Sequence, residues 1–207
     1  MRLTDLTKKH KNKPVSLRTA PAFRTIALAL TACLLGACGS VPDTYHSLRP
    51  DISTTPTQQG TPTAIRYTEL PPYYDSEYLV SYDEHGRINI DKSHHWTYPF
   101  SDNLRDVLRQ AIAGATGNSR TYTYPLAENN RPEVLIDIQI RELIADPPNH
   151  RYRISAQWQT SRAGSDTAPT NHEYQQQLPL PQSDPDSIVA TTAQAINQLA
   201  AAIARTL

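Results

Sequence analysis

The residues that could take part in chemistry are a few histidines and carboxylates and the second of two cysteines, since the first, Cys33, lies inside an apolar run. The Cys38 thiol could act as a nucleophile. His94 and His95 are adjacent, so on a strand they would point to opposite faces and chelate one metal poorly. Asp137 and Glu142 lie five positions apart on one predicted strand, so their side chains would also point to opposite faces. They would make a poor acid–base pair. The sequence also lacks G-x-S-x-G, H-E-x-x-H and a glycine-rich phosphate loop. We therefore predict no catalytic residue, no metal site and no cofactor.

A basic segment and a short apolar run precede Cys38. Six lysines and arginines lie in residues 8–24, and the apolar run covers residues 25–35. About eleven apolar residues are too few for a membrane span, which needs roughly 20. A basic start, a short apolar core and small residues at its exit are typical of a secretory signal peptide. We predict that residues 1–37 are this signal.

The residues at the end of the apolar run read Leu35-Gly36-Ala37-Cys38. They resemble the lipobox of bacterial lipoproteins, in which the cysteine receives lipid and becomes the new N-terminus. The alternative is an ordinary buried cysteine after an apolar helix. The resemblance implies lipidation of Cys38, with palmitate-type acyl chains that make release from the membrane slow. Gly39 stands where lipoproteins retained in the inner membrane usually carry Asp. That implies the periplasmic face of the outer membrane.

The mature chain would run from Cys38 to Leu207 and contain no second cysteine. It could therefore form no internal disulfide, and its stability must come from a packed core. About 170 residues suffice for one domain. The leader holds seven of the 20 Lys and Arg residues and one of the 20 acidic residues, so the mature formal charge is −6. An acidic surface gives no reason to expect nucleic-acid binding.

Composition divides the mature chain into a tether and a domain. Residues 38–62 are rich in Ser, Thr, Pro, Gln and Gly, a composition that cannot bury enough apolar surface to fold. A flexible tether of ~24 residues would reach roughly 25–30 Å. We predict a flexible tether over residues 38–62 and a single folded domain over residues 63–207.

Alternating and helical patterns place the elements of that domain. Apolar alternation predicts strands over residues 64–70, 77–82, 87–90, 121–124, 133–145, 151–158 and 173–178. Helical spacing predicts one helix that Ser101 caps and Gly117 ends, and a second that Asp184 caps. The sum is an α+β domain: a twisted, mostly antiparallel sheet with two helices packed on one face.

Aromatic residues concentrate before the first helix. They either pack against the sheet edge or form a contact surface for a partner or lipid, since Tyr and Trp are enriched at interfaces. The stretch Leu70-Pro-Pro-Tyr-Tyr-Asp75 is rigid and apolar, which favours a recognition loop. The predicted partner-binding residues are Pro71, Pro72, Tyr73, Tyr74 and Trp96.

Several short motifs occur in an order that resembles one protein family. They are Tyr45-His-Ser-Leu48, Leu70-Pro-Pro-Tyr-Tyr-Asp75, Trp96-Thr-Tyr-Pro-Phe100 and Ser155-Ala-Gln-Trp158. In this order behind a lipobox they resemble the PqiC (YmbA-like) auxiliary lipoproteins of ABC-type transporters.

The resemblance implies a non-enzymatic role in intermembrane lipid transport. Such lipoproteins partner MCE-domain proteins that bridge the two membranes, and support envelope integrity by docking the bridge at the outer membrane. The partners implied are an MCE-domain protein, outer-membrane lipids through the acyl anchor, and further copies in a homo-oligomer. The alternative is a lipoprotein of outer-membrane assembly or one that activates cell-wall synthases. A lipid hydrolase is disfavoured because no nucleophile motif is present.

Overall fold

A computed structural model describes residues 42–50, 55–74, 76–97 and 99–207. The predicted signal peptide and Cys38 lie outside the described residues, so the lipid anchor remains a sequence prediction.

The described chain contains eight strands, two helices and two 3-10 turns. The strands are β1 (Thr44–His46), β2 (Thr63–Glu69), β3 (Tyr78–Tyr82), β4 (Ile88–Trp96), β5 (Thr121–Thr123), β6 (Val134–Asp146), β7 (Arg151–Arg162) and β8 (Thr170–Pro179). The helices are α1 (Phe100–Thr116) and α2 (Pro185–Ala204), and the 3-10 turns are Pro72–Tyr74 and Pro147–Asn149.

All eight strands belong to one sheet, built around the long strand β6. One side of β6 pairs along its whole length with β7, which pairs with β8, and both ladders are antiparallel. The other side of β6 is divided between two groups of strands. β2 runs parallel to its first half and carries β5, while β3 meets it at Ala145 and carries β4 and then β1. The sheet is mixed, with its longest ladders antiparallel, and the predicted α+β class is confirmed.

Both helices cover the same face of the sheet. The hydroxyls of Tyr152 on β7 and Thr192 on α2 lie 3.0 Å apart, which shows that this side of β7 faces α2. Strand residues then alternate between the buried helix face and the other side, as the pleat requires. We call the side of the sheet away from the helices the open face.

Two of the three predicted helix ends are confirmed, and one is wrong. Gly117 ends α1 with a left-handed φ of 69°, which glycine adopts without steric cost. Asp184 caps α2, and its carboxylate accepts the Ser187 N–H at 2.9 Å. The predicted cap at Ser101 is wrong, because α1 begins at Phe100 after Pro99 and has no side-chain cap. Burial of Phe100 in the core sets this start instead of a hydrogen bond.

Much of the predicted tether packs on the domain. Residues 44–46 form β1, and Leu48 is 2% exposed within the core. Further along, the Gln58 N–H donates to the Gly117 carbonyl at 3.0 Å, and the Ser119 N–H donates to the Gln58 carbonyl at 2.9 Å. The expectation of a flexible tether up to residue 62 therefore fails for these stretches, because backbone pairing compensates for their polar composition.

Neither α1 nor α2 is long and apolar enough to cross a bilayer, and no other described helix is.

The cap of α2 gives a direct stability test. Replacing Asp184 with Ala removes the acceptor for the Ser187 N–H and should lower the free energy of unfolding by about 1 kcal/mol. Urea denaturation measures the change. The control is Asp166→Ala, which removes an exposed carboxylate from the loop before β8 and should leave the midpoint unchanged. Equal midpoints for the Asp184 variant and the native protein would exclude this cap.

Candidate functional site

The five predicted partner-binding residues fall into two groups. Pro72 is exposed and Tyr73 is half-buried, both in the 3-10 turn after β2. Pro71, Tyr74 and Trp96 are buried, and Trp96 is 4% exposed. The structure therefore brings the residues close together but leaves mainly Pro72 and Tyr73 available to a partner.

Tyr74 and Trp96 pack on either side of the first residue of α1. The Tyr74 ring stacks on Phe100 with centroids 4.3 Å apart, and the Trp96 ring contacts Phe100 at 4.8 Å. The Tyr74 hydroxyl donates to the Leu143 carbonyl, and burial raises the pKa of this tyrosine. These aromatic contacts join β4, the 3-10 turn and β6 to the helix layer.

Tyr73 lies beside this cluster, with its ring 5.1 Å from that of Tyr74. Burial raises the pKa of Tyr73 to about 12. Nearby, the Glu142 carboxylate lies 2.9 Å from the Arg153 guanidinium and 3.5 Å from the Tyr82 hydroxyl. The accessible part of the predicted site is therefore a tyrosine-rich surface next to an ion pair.

Strand register shows which side chains share the open face with Tyr82. Ala145 lies opposite Tyr152, which faces α2, and Ser81 lies opposite Ala145. Ser81 therefore faces the helices, and its neighbours Val80 and Tyr82 point the other way. Their partners on β4 are Ile90 and Ile88, respectively, so both isoleucines belong to the open face.

A row of three rings continues this surface across β1, β4 and β3. Tyr45 and Tyr78 both lie opposite His95 in the strand register. The Tyr45 ring stacks on His95 at 5.0 Å, and the Tyr78 ring meets His95 at 4.8 Å. We call Tyr45, His95 and Tyr78 the aromatic ladder.

Two carboxylates flank the ring at the centre of the ladder. The Asp43 carboxylate lies 3.7 Å from Nε2 of His95, and the Glu77 carboxylate lies 4.0 Å from Nδ1. Asp43 precedes β1 and Glu77 precedes β3, so an imidazole on β4 lies between acidic groups from both flanking segments.

The other side of β1 is held by a pair of histidines. Nε2 of His46 lies 2.8 Å from Nδ1 of His94, and the two rings stack at 5.1 Å. The Asp186 carboxylate in the first turn of α2 lies 3.8 Å from Nδ1 of His46. Burial, followed by the charge on His94, lowers the pKa of His46. Both faces of this three-residue strand are therefore fixed to the domain.

Sequence reasoning missed this arrangement because it assigned the Tyr45 region to a tether. The available signal was an aromatic residue and a histidine, Tyr45 and His46, within a stretch of small polar residues. The described residues contain no group of three or more His, Cys, Asp or Glu side chains arranged to hold a metal ion. The side chains of the aromatic ladder and the histidine pair interact by ring packing, a hydrogen bond and close carboxylates.

A polar groove of about 690 Å³ crosses the open face over β2, β6, β7 and β8. The polar side chains that line the groove form hydrogen bonds mainly with one another. Arg66 forms two hydrogen bonds with the Asp137 carboxylate, and Gln139 donates to Glu69 at 3.1 Å. Because the polar groups are already satisfied within the chain, this part of the open face is suited to solvent.

Comparison with known proteins matches most of the chain. The model of the family described as ABC-type transport auxiliary lipoprotein component matches residues 46–204. No curated protein matches the chain.

Two crystal structures share the fold. One, of an uncharacterized protein, has a TM-score of 0.64 and 16% identity, over 80% of this chain and 98% of that one. The other, from Xanthomonas campestris and of a family of unknown function, has a TM-score of 0.60 and 14% identity. It covers 77% of this chain and 92% of its own. At these identities the likeness shows the fold alone.

Because Trp96 is buried, replacing it should destabilise the fold and not simply remove a contact surface for a partner. Replacing Trp96 with Ala should lower the free energy of unfolding by about 3–5 kcal/mol, while Tyr73→Ala should lower it by about 1 kcal/mol. Chemical denaturation of both variants measures the difference. Equal losses would contradict the assignment of Trp96 to the core and Tyr73 to the surface.

The histidine pair predicts that stability depends on pH. Because the pKa of folded His46 lies below its ordinary value of 6.5, the unfolded chain binds this proton more readily. The free energy of unfolding should fall as pH decreases below 6.5, until pH passes the folded-state pKa, and should not depend on His46 at higher pH. Urea denaturation at pH 7.5 and 5.5 measures the slope.

His46→Gln should flatten this slope, while His85→Gln, in the exposed turn between β3 and β4, should retain it. An unchanged slope in the His46 variant would show that this histidine does not resist protonation in the folded state.

Proposed function

Because the chain belongs to the family of ABC-type transport auxiliary lipoprotein components, we propose that it serves an MCE- and ABC-type system for intermembrane lipid transport. It acts there as the outer-membrane lipoprotein. It docks the periplasm-spanning MCE-domain protein at the outer membrane and so supports envelope integrity. The observation that carries the proposal is the family match over residues 46–204, preceded by the lipobox at residues 35–38.

The anchor confines the domain to the membrane surface. A lipidated Cys38 would hold the chain on the periplasmic face of the outer membrane, as Gly39 after the cysteine favours. Confinement raises the effective concentration of the domain for a partner that reaches the same membrane. Docking then needs little intrinsic affinity, which suits a small contact surface.

The surface proposed for the partner is the accessible part of the predicted site. Pro72 is exposed on a rigid 3-10 turn, and Tyr73 is held beside Tyr74. Tyrosine supplies contact area at low cost in conformational entropy, and a fixed backbone limits the entropy lost on binding. The ion pair of Glu142 and Arg153 beside these residues adds groups that can orient a partner.

The role is non-enzymatic in this proposal. The described open face offers ion pairs, amides and tyrosines, and its His95 ring is packed between two tyrosine rings. The family is defined by an auxiliary function in transport. A homo-oligomer of the lipoprotein would present several copies of the Pro72–Tyr73 surface to one tubular partner.

Photocrosslinking in cells tests the partner. A benzophenone amino acid at position 72 or 73 should crosslink an MCE-domain protein, identified by mass spectrometry of the product. The matched control is the same probe at Glu173, which is exposed on the distant strand β8, and it should give no such product. Crosslinks to a β-barrel assembly protein or a penicillin-binding protein would support the alternative function. Equal yields at position 173 would exclude the proposed surface.

A further inference from the structure

Exposed apolar side chains of the described residues cluster on β1 and β4. The large apolar residues that are exposed are Tyr45, Tyr67, Ile88, Ile90 and Leu207. Three of these lie on the two strands, with exposures of 64% for Tyr45, 39% for Ile88 and 47% for Ile90. Isolated exposed apolar residues need no explanation, but a contiguous patch marks an interaction site.

Register shows that these residues form one strip on the open face. Tyr45 stacks on His95 and Tyr78 packs against the same ring at a tilt, and Val80 and Tyr82 follow Tyr78 on the same side of β3. Ile90 and Ile88 lie directly opposite Val80 and Tyr82. Cross-strand partners have Cβ atoms about 5 Å apart, so Ile88 and Ile90 adjoin Tyr82 and Val80. The buried Val80 and a register shift after Tyr78 lie between Ile90 and the aromatic ladder. We call Tyr45, Tyr78, Ile88 and Ile90 the apolar strip.

The strip begins on the strand nearest to the predicted anchor. Six peptide steps join Cys38 to Thr44, the first residue of β1. Whatever conformation those residues take, a chain of this length spans at most about 20 Å. A domain of about 165 residues has a radius of gyration of about 15 Å and a larger diameter. The end of the domain that carries β1 must therefore lie close to the lipid headgroups.

We propose that the apolar strip rests on the bilayer surface that holds the anchor. Tyrosine places an apolar ring and a polar hydroxyl at the boundary between headgroups and acyl chains. The two isoleucines would bury apolar area in the same layer. The anchor and the strip together would fix the orientation of the domain, where a flexible tether would leave it free. This inference rests on the lipid anchor of the proposed function.

The charged groups beside the strip select the kind of lipid. Asp43 and Glu77 flank the aromatic ladder, while Lys92 is the exposed cation on β4, and Arg87 is paired with Asp83. Among the described charges that flank the ladder and line β4, two carboxylates outnumber one lysine, which disfavours an anionic surface. The strip therefore fits a layer of zwitterionic headgroups.

The orientation can be measured on the full lipidated protein in vesicles of phosphatidylethanolamine and phosphatidylcholine. A nitroxide is attached to Cys in the variant Ile90→Cys and, as a matched control, in Gln194→Cys on the exposed side of α2. Electron paramagnetic resonance then compares how often the nitroxide collides with oxygen, which concentrates in lipid, and with a water-soluble nickel complex. We expect the oxygen-to-nickel ratio at position 90 to exceed that at position 194 several-fold.

Equal ratios at the two positions would overturn the proposal. The oxygen-to-nickel ratio at position 90 could instead rise as more protein is added per lipid. That result would assign the strip to contact between copies of the protein and would also overturn the proposal. Mass spectrometry of the same sample separates this failure from that of the proposed function. An acylated Cys38 with an exposed strip refutes the orientation alone, whereas an unmodified Cys38 refutes both the anchor and the orientation.

Discussion

The pairing of β1 with the last part of β4 positions both the aromatic ladder and the histidine pair. β1 has three residues, too few to hold by backbone hydrogen bonds alone. Its two faces therefore use different contacts: Tyr45 stacks on His95 on the open face, and His46 stacks on His94 near α2. The Thr97 N–H and hydroxyl both donate to the His46 carbonyl, at 2.8 and 2.9 Å. Each set of contacts therefore adds to the attachment of this segment to the domain.

Docking of β1 changes what the N-terminal segment does. A free tether would space the domain from the membrane and leave its orientation open. With the proposed lipid on Cys38, a segment that is paired from Thr44 onward would instead bring one end of the sheet to the headgroups. The Pro72–Tyr73 surface would then have a defined position relative to the bilayer, as the proposed docking of a bridging protein requires.

Local patterns predicted the elements that depend on local physics. The alternation in β6 and β7, the Asp184 cap and the Gly117 terminus each follow from neighbouring residues, and the structure contains them. Contacts between segments that are distant in the sequence could not be predicted from local patterns. No local pattern shows which distant segments lie close together. Examples are the parallel pairing of β2 with β6, the burial of Trp96 against Phe100 and the docking of β1 on β4. Composition misassigned β1 because its polar backbone is satisfied by a partner 50 residues away.

Amide hydrogen exchange of the lipidated protein, read by mass spectrometry over residues 43–50, tests the docking of β1 most directly. If β1 is docked, amides of this segment should exchange slowly, at rates similar to those of β3. Exchange at the rate of an unstructured peptide, while β3 and β4 stay protected, would show that the segment is a free tether and would contradict the account.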